Sequence, residues 1–231
     1  MGDLGDRMKG YEAAARFVLP RRMPLIVRVD GRAFHTLTRS MDKPFDAHFM
    51  LAMLTAARAV ADDMQGFVAG YVQSDEASFL LQDYAQLDTE PWFGKDLCKV
   101  VSLSAATMSV EFTRAIGRDA TFDSRAFVVP ESEVVNYFVW RAKDWARNSL
   151  SMYAQANFSH RELHGKGRAD MHEMLHSIGK NWTVDLGNSE RNGTFLLRFG
   201  RDLAESNAVL PSYESVSAFL QSPTAAAQVS P

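Results

Sequence analysis

The sequence predicts an α+β fold, a ferredoxin-like antiparallel sheet with helices packed on one face, followed by a C-terminal helical and loop extension. Three observations carry this expectation. Stretches with helical or strand periodicity follow in the order helix, strand, helix, strand, strand, helix, strand, helix, close to a β-α-β-β-α-β pattern. Two of the strand-like stretches stand only three residues apart, the spacing of a hairpin. The 231 residues are also enough to bury a core without a metal or disulfide staple.

Leu4, Met8, Tyr11 and Ala15 recur at helical intervals, which predicts a short amphipathic helix over 4–16. Pro20 and Pro24 block helix around Arg21 and Arg22. Leu25 to Asp30 is almost continuously apolar and β-branched, a strand, and Gly31 allows a tight turn after it. Asp46 is a candidate N-cap for a helix reaching about Met64. Gly66 to Gln73 and Ala77 to Leu81 read as strands around Ser74, Asp75 and Glu76. Residues 94–114 read as a helix, Thr121 to Val129 as a strand stopped by Pro130, and 132–157 as a long helix. A basic loop, a short helix near 171–178 and a strand over Thr194 to Phe199 follow.

Charge is distributed unevenly. The net charge is −3, yet residues 1–122 carry −2, residues 123–201 carry +2, and residues 202–231 hold three acids and no Lys or Arg. The expected organisation is a catalytic domain over 1–130, a helical part over 131–201 that completes the fold, and a flexible tail over 202–231. The balance excludes a chain that binds nucleic acid through a global positive field, but not one that uses local basic patches. No apolar run is long enough for a transmembrane helix, and no signal pattern opens the chain, so no membrane partner and a cytoplasmic location are expected. The single cysteine, Cys98, rules out an internal disulfide and is expected to be a buried apolar side chain.

The chemistry-bearing residues sit at strand ends. Asp30 ends the first strand, and Asp75 and Glu76 occupy the hairpin tip. In such a sheet the two ends can lie side by side, and converging carboxylates there suit Mg²⁺, a hard cation that also takes substrate phosphates. Acids are also simply common in turns.

Longer motifs surround these acids. Val29-Asp30-Gly31-Arg32-Ala33-Phe34-His35 and Gln73-Ser74-Asp75-Glu76-Ala77-Ser78-Phe79 resemble the two signature segments of the tRNA-histidine guanylyltransferase family, including its bacterial-type 3′–5′ polymerase branch. Lys43-Pro44 with Asp46, Phe122-Asp123 with Arg125, Trp140-Arg141 with Asp144, and the stretch from Phe158 to Lys166 are similar to further family segments in the same order. The H-I-N-N element of eukaryotic members is absent, with Ala146, Arg147, Asn148 and Ser149 in its place. That departure favours template-directed repair of tRNA 5′ ends over strict tRNA-histidine addition.

The resemblance implies a palm-like catalytic domain and Mg²⁺-dependent addition of a nucleotide, typically G from GTP, to a tRNA 5′ end activated by ATP or already bearing a triphosphate. By position, Asp30, Asp75 and the Gly31 carbonyl would hold two Mg²⁺ ions, with Glu76 supporting them. Gly31, Arg32, Ala33, Phe34, His35 and Ser74 would contact the nucleotide. Arg32, Lys43, Lys95 and Lys99 are candidates to line the phosphates, Lys95 and Lys99 through a shared helix face. Arg21, Arg22, Arg147, Asn148, His160, Arg161, Lys166 and Arg168 are candidates for tRNA contact. Family members form homo-oligomers, so a tetramer is expected.

Two alternatives use other features. A palm-fold nucleotidyl cyclase would need the same carboxylates and no RNA. His172-Glu173-Met174-Leu175-His176 also matches the H-E-x-x-H zinc-peptidase pattern. There Trp182 occupies the place of a third His ligand, and a capping box from Asp170 to Glu173 with a Gly179 stop accounts for the same residues.

Overall fold

Side chains of the first strand alternate between two buried surfaces. Leu25, Val27 and Val29 point into one hydrophobic core and Ile26 into another, so both faces of the sheet must be covered. The computed structural model, in which residues 3–207 and 209–221 are described, arranges six strands accordingly. They are β1 (Leu25–Gly31), β2 (Phe67–Gln73), β3 (Glu76–Leu81), β4 (Phe122–Val128), β5 (Thr194–Phe199) and β6 (Asp202–Ser206). Their order is β4-β1-β3-β2-β5-β6, with every neighbouring pair antiparallel.

On the first face lie α3 (Ala47–Asp63) and α4 (Leu97–Ile116). Asp46 caps α3 by accepting from the Phe49 amide at 2.9 Å, as its position in the sequence suggests. Ala52, Ala56, Ala57 and Ala61 let α3 approach the sheet closely, while Phe34, Phe49, Phe112 and Phe122 interlock, edge to face except for the tilted Phe34–Phe112 pair.

The opposite face is covered by α5 (Val134–Gln155) and α10 (Tyr213–Gln221), which pack Phe138, Val216 and Phe219 against Ile26, Tyr71 and Phe195. The two helices of the β-α-β-β-α-β unit thus share one face, as expected, and the C-terminal helices cover the other. The long stripe from Val134 to Ala154 that marks α5 as amphipathic is satisfied by this second face and, further along, by a separate cluster with Leu175, Trp182 and Leu186.

The short helices α2 (Phe34–Leu37), α6 (His160–Leu163), α7 (Arg168–Ser177), α8 (Trp182–Asp185) and α9 (Asn188–Asn192) decorate this frame. α6 turns part of the expected basic loop into a helix, because Ser159 and Glu162 form a reciprocal capping box. α1 (Leu4–Ala14) forms where predicted but buries no residue.

Two expectations need correcting. Residues 202–221 are not a tail: β6 pairs with β5, and α10 docks on α5. The rest of the expected tail, 222–231, lies outside the described residues. Cys98 is exposed on the first turn of α4 rather than buried. Among the described residues no helix is long and apolar enough to cross a membrane.

Candidate active site

The antiparallel register brings the acids together. In β1, Asp30 stands opposite Glu76 of β3 on one side and Asp123 of β4 on the other. The Gly31 amide donates to the Asp75 carbonyl at 2.9 Å, which ties the end of β1 to the hairpin tip. Glu76 is already the first residue of β3, so Ser74 and Asp75 alone make the turn.

The backbone here is unusual. Ser74 (φ 45°) and Ala33 (φ 57°) adopt the left-handed conformation without being glycine, a strain that concentrates at functional sites. Gly31 is required for a different reason: a Cβ there would lie 2.5 Å from the Phe34 ring. Phe34 itself is 4% exposed, so its ring belongs to the core and leaves only its backbone for a ligand.

Electrostatics set the two aspartates apart. Burial pushes the Asp30 carboxyl above the usual range, Asp123 adds to the rise, and Arg28, Arg125 and Arg141 oppose it. Burial likewise raises Asp75, its own backbone and Ser74 opposing through hydrogen bonds while the Asp30 charge adds to the rise. A cation between them would relieve both costs. The described residues hold no group of three or more His, Cys, Asp or Glu side chains set for a metal ion. Two carboxylates beside a backbone carbonyl are hard oxygen donors of the kind a Mg²⁺ ion takes when phosphate oxygens and water supply its remaining ligands.

Glu76 is differently placed. Arg141 from α5 grips it with two hydrogen bonds, Nε to Oε1 at 2.7 Å and a terminal nitrogen to Oε2 at 2.8 Å. Arg28 approaches to 3.9 Å, and the Gln73 amide donates to Oε1 at 3.2 Å. Burial pushes Glu76 up and Arg141 pulls it down.

Two hollows meet at Asp75. One, of about 630 Å³, has an apolar wall that includes Met41, Phe45, Met53 and Met152, and a polar rim with His35 and Lys43. The other, of about 350 Å³, is polar and is lined by Asp30, Glu76, Arg141 and Asn148. Gln73, Ser74, Asp75, Trp145 and Met152 line both. The exposed Lys43 donates to the Thr38 carbonyl at 2.9 Å within reach of the larger hollow. Arg32 lines a third hollow with Arg118, on the other side of Phe34.

Lys95 does not line the phosphates. It is 1% exposed, and its ammonium donates to the Pro20 and Met23 carbonyls and pairs with Asp83 at 3.0 Å. Those partners mark the start of β1 and the end of β3, the sheet end away from Asp30. Lys95 also precedes the helix, in a left-handed conformation (φ 58°), because Asp96 is the N-cap of α4, so it shares no helix face with Lys99. Lys99 is exposed on the first turn of α4 beside Asp96, again at the far end. Arg21, paired with Glu90, and Arg22, whose amide donates to Asp83, stand there too.

Arg147 and Asn148 are exposed on α5, both bonded to Asp144, while His160, Arg161, Lys166 and Arg168 are exposed on α6, α7 and the link between them. The H-E-x-x-H helix builds no metal cluster: His172 packs edge-on against Trp182 at 5.9 Å. Asp170 is the third helical residue, bonded to the Gly167 amide at 2.8 Å, rather than the N-cap.

Sequence reasoning missed Arg28, Gln73 and Trp145 as site residues and passed over the role of Arg141. Alternation from Asp30 places Arg28 on the same strand face, a signal present in the sequence. The role of Trp145 depends on how α5 crosses the sheet and has no local signal.

A family model for tRNAHis guanylyltransferase matches residues 5–130. The tRNA(His) guanylyltransferase of Debaryomyces hansenii is 30% identical over 79% of this chain and 76% of its own. A bacterial tRNA(His) guanylyltransferase-like protein solved in complex with ATP superposes with a TM-score of 0.89 at 38% identity, over 94% of this chain and 97% of that one. One solved in complex with GTP gives 0.80 at 34% identity, over 95% and 98%. Motifs, strand register and both kinds of comparison agree: this chain belongs to the tRNAHis guanylyltransferase family.

Proposed function

We propose that the protein adds nucleotides to the 5′ end of tRNA in the 3′–5′ direction: the 3′-hydroxyl of a bound GTP gives up its proton and attacks the 5′-phosphate, forming a new O–P bond as AMP leaves from an ATP-activated end or pyrophosphate from a triphosphate end. The observation that carries this is the meeting of an apolar-walled hollow and a polar groove at Asp75, with Asp30 lining the groove. The first has the size and lining for a nucleoside, the second the polarity for a phosphate chain and an RNA end. Template-directed repair is the favoured mode, because Ala146 is buried where the eukaryotic element has its histidine.

Asp30 and Asp75, with the Gly31 carbonyl, would hold two Mg²⁺ ions. Bound there, Mg²⁺ neutralises phosphate charge and lowers the pKa of the attacking hydroxyl. Arg141 fixes Glu76, and through it the start of β3, so that Asp75 is held beside Asp30. The rigid hairpin and the Gly31–Ala33 turn position the reacting groups, which is most of what phosphoryl transfer asks of a protein. The Phe34 backbone, His35, Lys43 and Ser74 border the nucleotide in the larger hollow, while Ala33 lies with Arg32 on the third hollow.

The exposed cations Arg147, Arg161, Lys166 and Arg168, with Asn148 and His160, lie on the helical part beyond residue 131 and supply the local phosphate contacts a near-neutral body needs. Arg21 and Arg22, at the far end of the sheet, would serve only a tRNA body that wraps the domain or a neighbouring subunit in a homotetramer. The proposed setting is the cytoplasm. Incubation with labelled GTP, ATP and a 5′-truncated tRNA tests the reading. The product is one or more residues longer at its 5′ end, and label at the 3′ end or none at all contradicts it.

A further inference from the structure

Two residues of the wall shared by the hollows each carry a buried polar atom with no partner. Gln73 is 5% exposed; its amide nitrogen donates to Glu76, but its Oε1 is buried and accepts nothing. Trp145 is 3% exposed, and its ring is held edge-on by Phe45 at 5.8 Å while its Nε1–H donates to nothing. Buried orphans of this kind are rare, because each carries a desolvation cost that folding leaves uncompensated.

The two are complementary. One is an acceptor and the other a donor, both line the larger hollow and the polar groove, and Ser74 and Asp75 share that wall. An amide flip does not remove the mismatch, since it would turn the Gln73 oxygen toward the Glu76 carboxylate. A hydroxyl is the simplest group that donates to one and accepts from the other.

We infer that Gln73 and Trp145 bind a ribose hydroxyl of the nucleotide and select ribonucleotides over deoxyribonucleotides. This rests on the nucleotide reading above. A site built around a substrate hydroxyl rejects the analogue that lacks it, because the protein groups are then left unpaired. Trp145 and Gln73 thus act in binding and selection, while Asp30 and Asp75 stand at the reacting phosphates. Glu76 contributes indirectly by orienting the Gln73 amide.

The test is equilibrium binding of GTP, 2′-deoxy-GTP and 3′-deoxy-GTP to the full chain with Mg²⁺, for the unaltered protein and Trp145→Phe. Phenylalanine keeps an aromatic ring against Phe45 and removes the donor together with one ring of the indole, so the unchanged affinity for the 2′-deoxy analogue serves as the control for packing. The unaltered protein should bind 2′-deoxy-GTP about tenfold more weakly than GTP, the effect of leaving buried partners unmade, and 3′-deoxy-GTP about as well as GTP. Trp145→Phe should lose GTP affinity toward that of the 2′-deoxy analogue while holding that analogue itself unchanged, which also shows the fold intact. Gln73→Met should reduce the same ratio. Equal affinity for GTP and 2′-deoxy-GTP in the unaltered protein, or a ratio that survives Trp145→Phe, overturns the inference and leaves the nucleotide site standing. Failure of every nucleotide to bind overturns that site and the inference with it.

Discussion

Arg141 and Glu76 form a buried two-point ion pair between α5 and the first residue of β3, at 2.7 and 2.8 Å. It links the helix that covers one face of the sheet to the turn that carries Asp75. Removing one partner would leave the other charged and buried. Arg141→Ala is expected to cost about 3–5 kcal/mol in urea unfolding, and Arg141→Lys less, because the charge stays but the fork is lost. A loss below about 1 kcal/mol for Arg141→Ala, within the range of exposed pairs, contradicts the assignment.

Lys95 and Asp83 make a second buried pair, at 1% and 2% side-chain exposure, far from the acids. Lys95→Ala should destabilise the protein by about 3 kcal/mol or more and leave the affinity of the folded protein for GTP unchanged. A selective loss of nucleotide affinity without loss of stability would return Lys95 to the phosphates.

Acid should weaken the fold. Amide hydrogen bonds from Phe49 and Lys99 hold Asp46 and Asp96 below the usual carboxylate range. Tyr153 does the same for Asp185, and the Arg22 amide and Lys95 do so for Asp83 against the effect of its burial. A carboxyl depressed in the folded state contributes stability above its unfolded pKa, about 4, and loses it as pH falls through the folded value. The melting temperature should therefore fall steadily below about pH 4, with a smaller fall in Asp83→Asn. A melting temperature that rises on acidification to about pH 3 would refute this.

Asp30 and Asp75 have the opposite sign. Their raised pKa values mean that the ionised forms cost stability at neutral pH, a cost kept for function. In chelator, Asp30→Asn should melt above the unaltered protein. Added Mg²⁺ with GTP should raise the melting temperature of the unaltered protein more than that of the variant. Equal shifts in both would place the cation elsewhere.

Much of the frame is legible in the residues because its signals are local. The β-branched run before Asp30, the hairpin spacing around Ser74 and the Asp46 cap each act within a few positions, and the elements form there. The rest depends on distant chain. Whether α5 lies above or below the sheet is decided by its fit against Tyr71 and Phe195, and no local pattern states it. Lys95 and Lys99 read as one helix face, but Asp96 takes the N-cap between them and Asp83, twelve residues earlier, claims the Lys95 charge. Residues 202–221 carry acids and no Lys or Arg, but Val216, Phe219 and Leu220 have the spacing of an amphipathic helix, a local signal for α10. β6, by contrast, becomes ordered because β5 offers a free edge.

The closest test of the central claim is nucleotide addition by Asp30→Asn and Asp75→Asn, with labelled GTP, ATP, Mg²⁺ and a 5′-truncated tRNA. Both variants should fold, and each should lose at least about a thousandfold in rate, the loss expected when charge stabilisation at a reacting phosphate is removed. Addition at a near-normal rate by either variant would contradict the assignment of these two aspartates as the catalytic pair.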